Sequence, residues 1–236
     1  AKGSGKAATA GYAFFETRSG YNFVSYDYFA KQVPVTRMVV GHEKSELEDD
    51  DDKGITAVDK VTIESSVDLF KGLNYGSYSS NVMTLDLANM KFEQHPFSIN
   101  KYYKDVSVMN SRKTPEFYKG FDTEATYTRI MTKISDSALF TEGEYTQGFT
   151  KQLSQSSLRE KLFYNKKVTV ELVSDYQLEI GEVVQLDIYK GSSDRKQDFT
   201  NSGKYVIGKV ERTFKSSEDK MSTRLTLYTD SDGAES

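Results

Sequence analysis

The chain is 236 residues with 37% hydrophobic residues, enough for one large core or two small ones. Its 31 basic and 35 acidic residues leave a net charge of -4, which excludes a general electrostatic footprint for nucleic acid. Cysteine is absent, which excludes disulfides, thiolate catalysis and Cys-ligated metal sites, and no run of eighteen apolar residues offers a membrane helix.

The chain opens on Ala1-Lys2-Gly3-Ser4-Gly5-Lys6, the start expected of a fragment or processed chain, without the apolar stretch of a secretory signal. Tyr12 to Glu16 and Tyr21 to Ser25 read as two aromatic strands joined by a turn at Arg18-Ser19-Gly20. A short helical turn follows over 26–31, capped by Ser25 or Asp27. Residues 43–53 hold four consecutive aspartates, Asp49 to Asp52, before Lys53. Such a run repels itself and stays solvated. It matches an enteropeptidase recognition site, but ordinary chain on both sides reads it as a native loop. A calcium loop would need alternating ligands and a glycine at the turn, which are missing.

Val58 to Ile63 reads as a strand. Ser65 or Ser66 would cap a short helix carrying Val67, Leu69 and Phe70, ended by Gly72. A turn over Asn74 to Ser80 leads to strands at Val82 to Leu87 and Lys91 to Glu93. Phe97 to Tyr103 alternates aromatic and polar residues. Pro115 to Gly120 reads as a turn or helical piece, and Thr126 to Ile134 as a strand with Tyr127, Arg129 and Met131 on one face. Phe149, Leu153, Leu158 and Leu162 make a narrow helical stripe within 144–163.

The last third alternates most clearly. Val168, Val170 and Leu172 share one strand face. A turn at Gly181 precedes a strand with Val184, Leu186 and Ile188 opposite Val183, Gln185 and Asp187. A polar loop spans Lys190 to Asn201. Gly203 to Phe214 and Met221 to Tyr228 are the final strands. Four strands with short connections predict an antiparallel meander or small barrel, with a frayed polar tail over 229–236.

Familiar chemistry is missing from the pattern. Gly3 to Lys6 is half a phosphate-binding loop, with no strand before it and alanine after the lysine. His42 and His95 stand alone, and His95 precedes Pro96 in a predicted turn, so both read as surface or packing residues. No serine sits in a Gly-x-Ser-x-Gly elbow. Paired carboxylates are set in space, not by spacing, so they stay open. Tyr75, Tyr78, Tyr102 and Tyr103 lie in polar contexts and suit cross-strand packing, an assembly interface or a stacking platform. No residue is singled out as catalytic, metal-binding or cofactor-binding.

Three stretches, Gly11 to Phe29, Val61 to Phe92 with its "GSYSSNVMTLDL" segment, and Tyr176 to Tyr228 with "LEIGEVVQLDI", resemble the baseplate hub proteins of contractile-tailed T4-like bacteriophages. The resemblance implies a mainly β fold with α+β elements: a split antiparallel tail-tube-like barrel with an inserted mixed α/β region. Residues 10–54 would be the aromatic hairpin and acidic loop, and 55–92 the first part of the barrel. Residues 93–148 would be the inserted region, and 149–230 the helix and remaining barrel strands. One barrel is visible where the family has two, so the chain is expected to begin near the end of the first.

The implied role is structural and non-enzymatic, without cofactor or metal. Hubs of that family are trimers, with tail tube protein and central spike protein as partners and DNA passing through the lumen without specific binding. Their place is the virion, after assembly in the host cytoplasm, with no membrane contact. The alternatives are a cell-wall glycan hydrolase using paired carboxylates and a carbohydrate-binding receptor module.

Overall fold

The computed structural model describes residues 11–41, 55–65, 69–102, 106–114, 129–135, 145–173, 177–190, 196–216 and 220–233. In chain order the first strands are β1 (Tyr12–Thr17), β2 (Gly20–Ser25), β3 (Arg37–Val40), β4 (Ile55–Ala57) and β5 (Lys60–Ser65), with helix α1 (Tyr26–Lys31) after β2. Next come α2 (Leu69–Asn74), β6 (Ser79–Asp86), β7 (Lys91–Ser98), α3 (Ile99–Tyr102), β8 (Arg112–Lys113), β9 (Ile130–Ser135) and α4 (Tyr145–Phe163). The chain closes with β10 (Lys166–Val173), β11 (Val183–Lys190), β12 (Lys196–Gln197), β13 (Gly203–Lys215), β14 (Lys220–Thr229) and β15 (Ser231–Asp232). The fold is mixed α/β and rich in strands. It forms two compact units, one of Ala1–Tyr12, Asp68–Ser107 and Pro115–Lys161, the other of Ala13–Val67, Val108–Thr114 and Leu162–Ser236.

The second unit holds the large sheet, in the order β4-β3-β11-β13-β14-β10-β5, with β12 beside β11. Period-two alternation builds its core, because successive side chains point to opposite faces. Val168 lies opposite Leu227, and Val170 opposite Leu225. On the next strand Ile207 lies opposite Leu227. These side chains are fully buried together with Val184 and Leu186. Each such side chain contributes roughly 1.5–3 kcal/mol relative to exposure.

The order is not the predicted meander. The strands β10 and β11 are consecutive in the chain, yet β14 and β13 lie between them. That is a Greek-key arrangement, and alternation within strands does not report it. The face carrying Val183 joins a second core. Val183 pairs with Val206, and both are buried against Tyr26, Phe29, Met109 and Phe163. The rings of Tyr26 and Phe163 stack at 4.6 Å. Ser25 does occupy the N-cap of α1, but its hydroxyl makes no capping bond.

The strands β4 and β5 are the two ends of the sheet order and are also one stretch of chain. Between them the Val58 N–H donates to the Val39 carbonyl at 3.0 Å, and the Asp59 N–H to the Glu171 carbonyl at 2.9 Å. Along the segment, Arg37 to Val39 run parallel to Ile55 to Ala57, while Lys60 to Ser65 run antiparallel to β10.

Of the described residues in the 55–92 stretch, those within 55–65 supply its strands in this sheet. Residues 79–86 and 91–98 belong to the first unit, where β6 is central between β7 and β9. Their alternation specified strands without naming the partner. His95 and Pro96 sit within β7 rather than in a turn. Because β7 is an edge strand, the missing proline N–H costs no ladder bond there. Ser98 ends that strand and 99–102 turn helical, so the predicted alternation over Phe97 to Tyr103 stops early. Instead the Phe97 and Tyr102 rings stack at 4.8 Å.

Helix α4 meets β6 and the turn before it through serines. The Ser77 and Ser157 hydroxyls are 3.0 Å apart, and those of Ser80 and Ser154 are 3.1 Å apart. Small side chains at these positions let helix and strand approach closely.

The helix read as ending at Gly72 runs on to Asn74. Gly72 is there for space: a Cβ at that position would lie 2.0 Å from the Tyr78 ring, which is itself fully buried. An alanine inside a helix ordinarily stabilises by about 1 kcal/mol relative to glycine. At Gly72 the sign reverses. Gly72→Ala is expected to destabilise by roughly 1–3 kcal/mol through overpacking, measured by urea unfolding followed by circular dichroism. The partner variant Tyr78→Leu, combined with it, should recover part of that loss.

Candidate assembly interface

Among the described residues no group of three or more His, Asp or Glu side chains could hold a metal ion, and no helix is long and apolar enough to cross a membrane. His42, Tyr103 and the Asp49 to Asp52 run lie outside the described residues. The His95 ring lies 3.4 Å from Glu93, whose carboxylate also pairs with Lys91 at 2.5 Å. The Lys91 bond holds the Glu93 carboxyl below its usual range.

The buried carboxylates are engaged within the fold. Asp187 accepts from the Arg37 guanidinium at 2.6 Å and from the Gln185 and Gln197 amides at 3.0 and 3.3 Å. Asp230 accepts from the Met109 backbone N–H at 2.9 Å and the Ser231 hydroxyl at 2.8 Å. Asp232 pairs with Lys166, whose ammonium also donates to the Thr200 carbonyl at 2.7 Å.

These last contacts show that the polar tail is not frayed as far as Gly233. Ser231 and Asp232 pair as a strand with Lys113 and Arg112. Thr229, Asp230 and Ser231 are buried. Asn110 ties the tail down. Its own N–H donates to the Ser231 hydroxyl at 2.7 Å, and its side-chain amide donates to the Thr229 hydroxyl at 3.0 Å and the Ser231 carbonyl at 3.1 Å. Polar composition suggested solvent, but every polar atom here has a partner to find, which is what permits burial.

Tyr205 borders the same cluster and donates its hydroxyl to the Asn201 carbonyl at 2.8 Å. Burial first, then the charges of Asp232 and Asp198, push its ionisation well above the ordinary value of 10.0. The folded state therefore holds this proton more tightly than the unfolded chain. Its contribution to stability is fully present below pH 10.0 and is lost as pH rises further. Chemical denaturation at several alkaline pH values should show wild type losing stability more steeply than Tyr205→Phe.

What the molecule presents outward is of two kinds. The first is polar. Across β5, β10, β14 and β13 runs the row Lys60, Glu171, Arg224, Glu211, alternating in sign. Glu171 and Arg224 bond at 2.8 and 3.1 Å. The neighbouring row is Thr62, Thr169, Thr226 and Lys209, of which Thr226 is buried. Beyond it Lys167 bonds Glu64 at 3.1 Å.

The second kind is apolar, and the described residues include a group of it in each unit. On the β1–β2 hairpin, Ala13, Phe15 and Val24 face the core, which turns Phe14, Tyr21 and Phe23 outward. Tyr21 is 74% exposed, and its ring stacks on Phe14 at 5.8 Å. In the other unit, the face of the three-stranded sheet opposite Val82 carries the row Phe92, Leu85, Ile134, all exposed. Leu87 and Met90 extend it at the hairpin tip, and Ile130 at the far end. Of the four tyrosines singled out from sequence, Tyr75 is exposed, Tyr102 is half-buried and Tyr78 is core. Phe14, Phe23 and the β6–β7–β9 row were missed. Their alternation was legible, but it did not say which face the rest of the fold would cover.

The chain is similar in backbone to solved structures of tail and baseplate proteins. One is the tail protein from Neisseria meningitidis MC58, with 12% identity, 95% of this chain and 52% of that chain covered, and a TM-score of 0.48. Another belongs to the phage P2 baseplate in its activated conformation with Ca, with 12% identity, 93% and 48% covered, and a TM-score of 0.26. The chain thus spans about half the length of these structures. No protein-family model and no curated protein matches it.

Proposed function

We propose that the chain is a structural protein of a phage tail baseplate hub, a trimeric adaptor between tail tube and central spike that lines the path of the DNA. It works without catalysis or cofactor, in the virion, after assembly in the host cytoplasm. The observation that carries this reading is the segment 55–65, which bonds to β3 at one end of the large sheet and to β10 at the other. That is the connection a split tube-like barrel needs, with the unit containing 69–102 and 129–135 as its insertion.

The resemblance in residues Gly11 to Phe29, Val61 to Phe92 and Tyr176 to Tyr228 points the same way. So does the polar face over β5, β10, β14 and β13, where each cation in the Lys60 to Glu211 row has an anion beside it. Phosphate binding needs uncompensated lysine and arginine clusters. A compensated, threonine-rich wall would let DNA slide past.

The test is solution mass by light scattering at several concentrations, on this chain and on one extended upstream. A trimer in the longer form, joined by tube or spike protein when they are added, is the expected result. A monomer in both forms that binds neither partner would overturn the proposal.

A further inference from the structure

We infer that residues 55–58 form a strap that unlatches from β3 while 60–65 stay on β10, so that the large sheet opens at one seam and β3 is left with a free outer edge. The inference concerns motion within the large-sheet unit and stands apart from the assembly proposed above.

The two halves of the segment are held unequally. β5 pairs with β10 in antiparallel register over Lys60 to Ser65, and Lys167 bonds Glu64 across that ladder at 3.1 Å. β4 is three residues long and pairs with β3 in parallel register. Parallel pairing is slightly less stable per residue. Ile55, Thr56 and Ala57 are all half-buried, so neither face of β4 is anchored in a core.

β3 does not follow the strap, because its other side is bound to β11. The Arg37 guanidinium donates to Asp187 at 2.6 Å, the Gln185 N–H to the Thr36 carbonyl at 3.0 Å, and the Val35 N–H to the Val183 carbonyl at 2.8 Å. The β11–β13 ladder is also short, but its side chains enter both cores, Val183 and Val206 one of them, Val184 and Tyr205 the other. The weak seam is therefore β3–β4. Its hinge lies between Val58 and Asp59, where the backbone bonds change sides, to Val39 before it and to Glu171 after it. Val58 belongs to the core, and its burial draws the strap back.

Lifting the strap uncovers backbone N–H and C=O groups along Arg37 to Val40, an edge on which a strand of another chain can pair. The latch keeps that edge covered.

Hydrogen exchange of the full chain, followed by NMR, tests this at two adjacent amides. Their bonds are nearly equal in length, 3.0 Å for Val58 and 2.9 Å for Asp59, but run to different strands. Protection of Val58, corrected for intrinsic rates, should be at least about thirtyfold below that of Asp59. A smaller difference would mean that the sheet opens as one body, and greater protection at Val58 would move the opening to β10; either overturns the inference. A cross-link gives the second arm. Val39→Cys and Ala57→Cys lie opposite each other in a chain with no cysteine of its own. Once joined by oxidation, they should raise the protection of Val58 to that of Asp59. A linked protein whose Val58 amide exchanges as fast as before would also overturn the inference.

Discussion

Asn110→Ala should lower the stability of the large-sheet unit by about 3–5 kcal/mol, although Asn110 belongs to none of its strands. The reason is the number of groups it serves. Its side-chain oxygen accepts from the Lys204 N–H at 2.7 Å, and its amide donates to the Lys204 carbonyl at 3.2 Å as well as to Thr229 and Ser231. Removing the amide strands several part-buried or buried partners at once, and each costs roughly 1–3 kcal/mol if nothing replaces the bond. Asn110→Asp keeps the oxygen but sets a charge against the Lys204 and Ser231 carbonyls, so it should do no better. Urea unfolding gives the size of the effect. Hydrogen exchange gives its place: protection should fall first at Ser231 and Asp232, before the β10–β14 core opens. A loss under 1 kcal/mol with the tail still protected would mean that the β8–β15 pairing holds the terminus without Asn110.

Gly181→Ala should cost about 2–5 kcal/mol, from two sources that act at one atom. Its φ of +86° is a left-handed conformation, which costs a residue with a Cβ roughly 1–2 kcal/mol. The Cβ itself would lie 2.3 Å from the Phe15 ring, and forcing an extra methyl into a packed site adds typically 1–3 kcal/mol. The double variant Phe15→Leu with Gly181→Ala separates the two. It should relieve the clash and retain the backbone strain, so the effects of the single changes will not add. Strict additivity in thermal or urea unfolding would show that the hairpin moves away freely and that Phe15 does not clamp it to this turn.

The contrast between these two positions shows what a sequence makes legible. Gly181 was readable as a turn because glycine before an alternating apolar run is a local signal, and the strand after it begins at Val183 as the pattern requires. Asn110 carried no local signal. It lies in irregular chain, and its partners at Lys204, Thr229 and Ser231 are far away in sequence. The same division runs through the fold. Strands β10, β11, β13 and β14 announced themselves by period two, and α4 by its leucine stripe. Their neighbour order did not, because pairing is decided by cores that only exist once the chain has folded. The apolar row of Phe92, Leu85 and Ile134 was hidden for a related reason. Alternation says that a strand has two faces, and only packing says which one is left open.

The bonds of the 55–65 segment also set an order of events during synthesis. Met38 and Val39 leave the ribosome long before Leu186 and Asp187, their neighbours in β11, and Lys60 long before Glu171. The early strands have only each other until the last third of the chain emerges, and loop closure over such separations is slow. A nascent chain stalled before Lys166 therefore carries apolar strands with raw edges, the form most prone to mispairing with a second nascent chain. Slowing translation after β5 should lower the yield of soluble protein, whereas slowing it after β14 should not. The yield of this protein is thus governed by timing as well as by the strength of its core.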